Sequence, residues 1–217
     1  TQDKRLTDFM AAPTYPRYKS LLANERLPAA FIDLDALEAN ARLMLESGGS
    51  LPIRVASKSV RSVAMLRHVF SLSNRFQGLL CFSAEEAVFL AGEGFDDLVV
   101  AYPTVQEAAV RAVCECVQKG TRISLMIDSP AHIDRLAAIA RDYYQPLPVV
   151  MDIDMASDFP GLHFGVWRSP VRSKEAVLGL WKLIKQYPQL VLDGVMGYEA
   201  QLAGVGDAMP GHAVKNA

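Results

Sequence analysis

Cysteine is scarce in this chain of 217 residues. The three cysteines, Cys81, Cys114 and Cys116, are too few for the disulfide framework of a small secreted protein. Cys114 and Cys116 are two positions apart in a helical pattern, so their side chains point to different sides and are not expected to bind a metal or form a redox pair. Reduced, partly buried thiols are typical of a cytoplasmic protein, which is the localisation that we expect.

Long apolar runs and an excess of positive charge are also missing. No apolar stretch approaches the roughly 18 residues of a membrane-spanning helix. The N-terminal segment, residues 1–20, has no apolar core of the kind that a signal peptide carries. The formal net charge of −2 gives no electrostatic basis for binding nucleic acid or an anionic membrane. We therefore expect neither as a partner.

Short apolar runs alternate with helical patterns along the chain. The runs are continuous, as in parallel strands that are buried on both faces. They predict seven strands, at residues 28–34, 51–57, 76–82, 96–102, 122–128, 147–154 and 190–198. The helical patterns between them predict helices at 35–47, 62–71, from Ser83 to Gly92 or Gly94, at 104–119, at 129–143 and around Val177–Ile184. Strands that alternate with helices indicate βαβ units and a parallel sheet.

Two α/β architectures fit this alternation, a closed barrel and an open doubly wound sheet. The open sheet lacks its best marker, because a Gly-rich dinucleotide fingerprint is absent after the first predicted strand, where residues 33–40 read "DLDALEAN". A barrel usually takes about 250 residues. We therefore predict an incomplete TIM-type (β/α)8 barrel with seven of its eight strands.

Polar residues at the carboxyl ends of barrel strands converge on one mouth, where such folds place their chemistry. In this chain they are Asp33, Lys58, Ser83, Tyr102, Asp128, Asp154 and Tyr198. Lys58 directly follows the second predicted strand, in "RVASKSVRS". A lysine that is desolvated beside another cation, such as Arg54, is held as a nucleophilic amine. The alternative is a surface lysine that simply ends a strand.

Two further places carry candidate chemistry. In "MDIDMASDFPGLHFGV", residues 151–166, Asp152 and Asp154 share one strand face and suit acid–base work or metal binding. Alternatively, they cap the next element. His163 follows in the loop, as a proton carrier or as an ordinary surface residue. After the last predicted strand, Tyr198 can stack on a planar ligand or simply pack at the barrel mouth. We assign no metal ligand.

Five segments together resemble a known family. They are residues 27–44, 53–59, 78–103, 151–166 and 194–207. In order and spacing they are similar to the N-terminal barrel of the alanine racemase-like, fold-type III pyridoxal phosphate enzymes. Among these, they most resemble the amino acid deaminase/aldolase branch, which is related to D-threonine aldolase and D-serine dehydratase.

The resemblance implies roles for particular residues. Lys58 matches the lysine that forms the internal aldimine with pyridoxal 5'-phosphate, and Tyr198 matches a tyrosine near cofactor and substrate. Arg54 matches the arginine that opens the Arg-Pro-His-x-Lys motif of D-threonine aldolases. His163 stands where the family often has an arginine that contacts the cofactor, and Arg168 is close enough in sequence to replace it. Asp154 is the remaining predicted cofactor-binding residue.

Two positions depart from the pattern. Ala56 and Val60 stand where the aldolase and dehydratase relatives carry histidines. We therefore do not expect strict D-threonine aldolase or D-serine dehydratase activity.

The resemblance implies a pyridoxal phosphate-dependent lyase, an aldolase or deaminase, that acts at Cα of an amino acid of the D series. The expected organisation is an N-terminal extension, 1–26, and a barrel domain, 27–217, truncated at its C-terminus. A C-terminal β domain, which in relatives binds a divalent metal, is expected to be absent, and a homodimer is implied. Amino acid racemase, a non-enzymatic pyridoxal phosphate homeostasis protein and an interaction protein with an inactive site are the alternatives.

Overall fold

The computed structural model describes residues 15–200, in which helices and strands alternate between residues 53 and 153 as predicted. The helices are α1 Tyr15–Leu21, α2 Leu34–Ser47, α3 Val63–Leu72, α4 Ala84–Gly92, α5 Glu107–Gln118, α6 Pro130–Ala140 and α7 Lys174–Ile184. The strands are β1 Ile53–Ala56, β2 Phe76–Cys81, β3 Leu98–Val100, β4 Ile123–Ile127, β5 Leu147–Ile153, β6 Ser157–Phe159, β7 Leu162–Phe164 and β8 Leu190–Gly197. No helix in this part of the chain is long and apolar enough to cross a membrane.

Six of the described strands form one sheet, in the order β1-β2-β3-β4-β5-β8. The pairings from β2 through β8 are parallel, and β5 pairs with β8 over the full length of β5. This confirms the predicted α/β fold with a parallel sheet. Within the described residues the sheet does not close, since β1 and β8 stand at the two ends of the strand order.

The described residues divide into two compact units. The smaller unit comprises residues up to 53 together with 68–76, and the larger comprises 54–67 and the residues from 77 onward. The predicted boundary between residues 26 and 27 stays a prediction.

The core of the larger unit lies around the central strands. Every residue of β3 and β4 is buried, which explains why their sequences, "LVV" and "ISLMI", lack the alternation of a half-exposed strand. Leu90, Ile133 and Leu136 are buried on the helices of the same unit. Burying each such aliphatic side chain contributes about 1.5–3 kcal/mol to folding.

Serine side chains cap the starts of α4, α6 and α7. The Ser83 hydroxyl accepts a hydrogen bond from the Glu86 amide at 3.2 Å, as predicted for an N-cap. Ser129 and Ser173 cap α6 and α7 in the same way. Ser83 and Ser129 each stand two positions after the end of a strand, β2 and β4, and so fix where the chain turns from strand to helix.

The prediction of a first strand at residues 28–34 is wrong. The segment has no strand structure, and Phe31 and Ile32 are about half exposed. Its apolar run is typical of a strand, but a strand also needs a neighbour to pair with, and none of the described strands bonds to it. Asp33 instead caps α2, accepting from the Ala36 amide at 3.0 Å and the Tyr18 hydroxyl at 2.7 Å.

The loop after β5 contains an antiparallel hairpin, β6–β7, that was not predicted. Its turn is "FPGL", in which Gly161 has a φ of +76°, a conformation that a side chain would strain. Proline followed by glycine is a turn signal, so the sequence did carry an indication of this hairpin.

Candidate active site

Lys58 lies on a tight turn at the carboxyl end of β1. A short 3-10 helix, Ser57–Ser59, follows the strand. The Ser57 hydroxyl is buried and donates to the Leu80 carbonyl of β2 at 3.2 Å. The Val60 and Arg61 amides both donate to the Ser57 carbonyl, at 2.9 and 2.8 Å. These bonds fix the backbone from which the Lys58 side chain extends.

The amino group of Lys58 contacts the phenol of Tyr102. Lys58 Nζ lies 3.3 Å from Tyr102 Oη. Tyr102 follows β3, and its ring packs against the ring of Phe82 in an edge-on contact, with centroids 5.6 Å apart. Among the described residues, Lys58 forms no ion pair with a carboxylate, so its amino group is not neutralised by a structural partner.

Arg168 reaches the same tyrosine from the loop before α7. Its Nε donates to Asp152 Oδ2 at 2.7 Å and its Nη2 donates to the Ala101 carbonyl at 2.6 Å. The guanidinium carbon lies 4.9 Å from the ring centre of Tyr102 and 5.7 Å from that of Tyr198. The guanidinium is therefore held by two oxygens and contacts the two aromatic rings.

Asp152 is the buried anion behind Arg168. The residue is 1% exposed, and its second oxygen, Oδ1, has no hydrogen-bond partner among the described residues. Burial raises the pKa of Asp152, and the charge of Arg168 opposes that rise.

These contacts define a strand-end cluster of Lys58, Tyr102, Asp152, Arg168 and Tyr198. Lys58, Tyr102 and Tyr198 follow β1, β3 and β8, and Asp152 belongs to β5. Arg168 comes from the loop before α7. The hydrogen bond from Lys58 is the main cause that lowers the pKa of Tyr102, and Arg168 adds to it. The cluster therefore joins an amine, a phenol and a guanidinium in a geometry suited to binding anions and moving protons.

Two open cavities adjoin this cluster. One, of about 440 Å³, is lined by Lys58, Arg61, Ser62 and the apolar residues Leu66, Phe82 and Phe89, among others. The other, of about 400 Å³, is lined by Tyr102, Phe82, Ser83 and Thr104, among others. Both volumes lie within the range of small-molecule sites.

Asp154 organises the loop that carries Arg168. It is 7% exposed, and its two oxygens accept from the Ala156 amide at 2.7 Å and the Arg168 amide at 3.3 Å. This arrangement matches the capping alternative for this residue. Its predicted contact with the cofactor stays a prediction.

His163 contacts residues of the hairpin region. Its Nδ1 lies 2.6 Å from Asp158 Oδ1, and its ring stacks on Trp167 with centroids 3.7 Å apart. Its Nε2 is buried and has no hydrogen-bond partner in the described part of the chain. The structure thus joins His163 to Asp158 and Trp167, whereas Arg168 contacts Tyr102 and Tyr198. The predicted role of His163 stays a prediction.

Arg54 pairs with Asp97, the residue before β3. Its Nη2 lies 2.9 Å from each oxygen of the Asp97 carboxylate, and its Nη1 donates to the Asp97 carbonyl. Gly78 of β2 adopts a φ of +67° beneath this pair, where a Cβ would collide with both residues. Lys58 and Arg168 both contact Tyr102, whereas Arg54 forms hydrogen bonds with Asp97. The cofactor-binding role of Arg54 stays a prediction.

Tyr102 and Arg168 were both candidates from the sequence, but the sequence did not indicate that they contact each other. Tyr102 was one of several strand-end residues, and nothing local distinguished it from Ser83 or Asp128. Its partners are 44 and 66 positions away along the chain. The strand-end rule therefore identified the right end of the sheet, but choosing residues there required the three-dimensional arrangement.

Parallel β/α units with a polar cluster at the carboxyl ends of the strands define a class of α/β proteins, barrels and open sheets alike, whose small-molecule sites lie at that end. Within this class, residues 32–212 match the family described as alanine racemase, N-terminal domain. The chain belongs to this family, as the resemblance in its sequence had indicated.

Curated relatives and solved structures agree with this assignment. The chain is 27% identical over 181 residues to a 3-hydroxy-D-aspartate aldolase of Paracoccus denitrificans, a match that covers 82% of this chain. Its fold is similar to that of D-threonine aldolase from Filomicrobium marinum, with a TM-score of 0.68 and 20% identity over 80% of this chain. D-threo-3-hydroxyaspartate dehydratase from Delftia sp. HT23 gives a TM-score of 0.66 and 22% identity over 81%.

The chain spans less than half the length of these relatives. The match covers 44% of the aldolase from Paracoccus denitrificans and 44% of each of the two structures.

Proposed function

We propose that this chain is the cofactor-binding barrel of a pyridoxal phosphate-dependent lyase that acts on a D-amino acid, by aldolase or deaminase chemistry. The observation that carries the proposal is Lys58, which lies at the carboxyl end of β1 and contacts Tyr102 rather than a carboxylate. The curated relatives, named as 3-hydroxy-D-aspartate aldolases, support the lyase type and the D configuration. The family match supports the cofactor.

The described residues fit this cofactor, which carries an aldehyde, a phosphate and an aromatic ring. Lys58 offers an amine that no carboxylate of residues 15–200 pairs with, and the adjoining cavity of about 440 Å³ is also lined by the cation Arg61. Asp152 Oδ1 is buried and receives no hydrogen bond from the described residues, so it can accept one from a bound polar group. We propose that Lys58, Arg168 and Tyr198 hold the cofactor, and that Arg54, Asp154 and His163 contribute as the sequence predicts.

The cofactor, when bound, withdraws electrons from Cα of the substrate. Lys58 would hold it covalently through its side-chain nitrogen, and the same nitrogen, as an amine, would be placed to accept or donate a proton at Cα of the substrate. Arg168 is pre-oriented by Asp152 and the Ala101 carbonyl, so it can bind an anionic group without first being ordered.

Ala56 and Val60, two positions before and after Lys58, cannot take part in proton transfer. Ala56 ends β1 and Val60 follows the 3-10 turn, and neither side chain carries an exchangeable proton. A group that assists Lys58 must therefore come from a position other than these two.

The assembly and compartment are also part of this proposal. We infer a homodimer from the family resemblance and a cytoplasmic location from the thiols. Burial raises the pKa of Cys81 to about 12 and that of Cys114 to about 11, so both stay protonated and unreactive in a reducing compartment.

The proposal is tested by adding pyridoxal phosphate to the purified protein and recording its absorbance. Lys58→Ala should abolish the absorbance band of the covalently bound cofactor, because its attachment point is gone. Lys182→Ala, an exposed position on α7, is the matched control and should bind as the parent does. If Lys58→Ala gives the same band as the parent, the proposal is wrong.

A further inference from the structure

Tyr102 is placed between the two cations of the strand-end cluster. Its Oη lies 3.3 Å from Lys58 Nζ, and the Arg168 guanidinium carbon lies 4.9 Å from its ring centre. The edge-on contact with Phe82 holds the ring, and the residue is 38% exposed, so the hydroxyl group is accessible from the site. Tyr102 is not among the residues to which the proposed function assigns a role.

We propose that Tyr102 is the residue that exchanges a proton with Lys58, so that Lys58 is available as an amine when the cofactor or the substrate reacts. This inference rests on the proposed function, since it assumes that Lys58 is the attachment point. It makes Tyr102 a positioning residue that acts through Lys58.

The exchange needs no further reactant. An N–H bond of the Lys58 ammonium breaks, its proton forms an O–H bond with the Tyr102 phenolate, and the electron pair stays on Lys58 nitrogen. The pair changes from ammonium and phenolate to amine and phenol, with no change in net charge. In reverse, the Tyr102 hydroxyl returns the proton to Lys58.

The charges around Tyr102 make its phenolate accessible as the proton acceptor in this exchange. Lys58 approaches from the turn after β1, and Arg168 approaches from the loop before α7. Among the carboxylates, Asp152 pairs with Arg168, and Glu86 of α4 accepts from the amide of Phe82, the ring neighbour of Tyr102, at 2.6 Å. The two cations stabilise the phenolate, which agrees with the lowered pKa of Tyr102.

The first test measures the rate at which pyridoxal phosphate attaches to the full chain as a function of pH. The adduct is trapped with borohydride at each time point and quantified from the protein mass by mass spectrometry. Tyr102→Phe keeps the ring and its contacts but removes the hydroxyl. It should slow attachment near neutral pH by roughly a hundredfold, the lower end of what a positioned acid–base group supplies, and change the shape of the pH profile. Tyr187→Phe, whose hydroxyl bonds to Asp134 far along the chain, is the control and should match the parent.

The second test needs no cofactor. Absorbance titration of tyrosinate, taken as the parent minus each variant, isolates one tyrosine at a time. The pKa of Tyr102 should lie below the ordinary tyrosine value. In Lys58→Met this pKa should rise back toward that value. Tyr187 should ionise above the ordinary value, because its hydrogen bond to Asp134 raises its pKa.

The outcomes separate this inference from the proposed function. If the parent attaches cofactor at Lys58 but Tyr102→Phe has the same rate and pH profile, the role of Tyr102 is wrong and the proposed function stands. If the titration of Tyr102 does not respond to Lys58→Met, the coupling of the pair is wrong whatever the cofactor does. If the parent attaches no cofactor at Lys58, the proposed function is wrong and this role falls with it.

Discussion

The pair of Arg168 and Asp152 shows how single residues keep the strand-end cluster in order. A carboxylate that is almost fully buried is unfavourable unless it is paired, and Arg168 Nε supplies the pairing at 2.7 Å. The same guanidinium then contacts Tyr102 and Tyr198. Arg168 therefore has a structural role toward Asp152 and a proposed functional role toward the site, and both depend on the same geometry.

Removing Arg168 should be costly because it leaves Asp152 buried and unpaired. We expect Arg168→Met to lower the free energy of unfolding by about 3–5 kcal/mol, measured by urea denaturation near neutral pH. The control is Arg67→Met, which breaks the exposed pair of Arg67 with Glu93 and should cost about 0–1 kcal/mol. Equal losses in the two variants would contradict the buried-pair interpretation.

At the scale of the elements, strand β8 is tied to β4 by a second charged group. Asp193 of β8 accepts from Ser124 Oγ of β4 at 2.6 Å and from Arg122 Nη2 at 2.5 Å. Burial alone would raise the pKa of Asp193, but the hydrogen bonds from Arg122 and Ser124 outweigh it and lower the pKa below its ordinary value of 3.8. These bonds therefore link two strands that have β5 between them in the sheet.

The lowered pKa of Asp193 gives a pH dependence with a definite sign. The folded state binds this proton less readily than the unfolded state, so the stabilisation is fully present above pH 3.8 and is lost as the pH falls through the lower, folded value. Asp193→Asn should destabilise the protein at pH 6. The difference from the parent should shrink at pH values below 3.8, as measured by urea unfolding at each pH. A difference that stays constant across this range would contradict the assigned ionisation.

Local sequence patterns predicted most elements of the larger unit. They failed where the formation of a strand depends on hydrogen bonding to a second strand. The continuous apolar runs that became β3 and β4, and the serine that caps α4, could be interpreted locally because burial and capping depend on neighbouring residues. Residues 28–34 carry the same kind of apolar run, yet no described strand pairs with them. The hairpin β6–β7 contains a proline–glycine turn signal, but the prediction placed no strands on either side of it.

At the scale of the whole molecule, the order of the elements predicted more than any single motif did. The alternation of strands and helices placed Lys58 at a strand end, and the order and spacing of five segments indicated the family that residues 32–212 match. The contacts among Lys58, Tyr102 and Arg168 were beyond reach, because they join positions 44 and 66 residues apart across parallel strands.

The central claim is that Lys58 holds pyridoxal phosphate, and peptide mapping of the reduced adduct tests it most directly. The protein is incubated with the cofactor, treated with borohydride, digested and analysed by mass spectrometry. We predict a single modified peptide that contains the segment 54–62, with the added mass on Lys58. A modification spread over exposed lysines such as Lys182, with none favoured at Lys58, would contradict the claim.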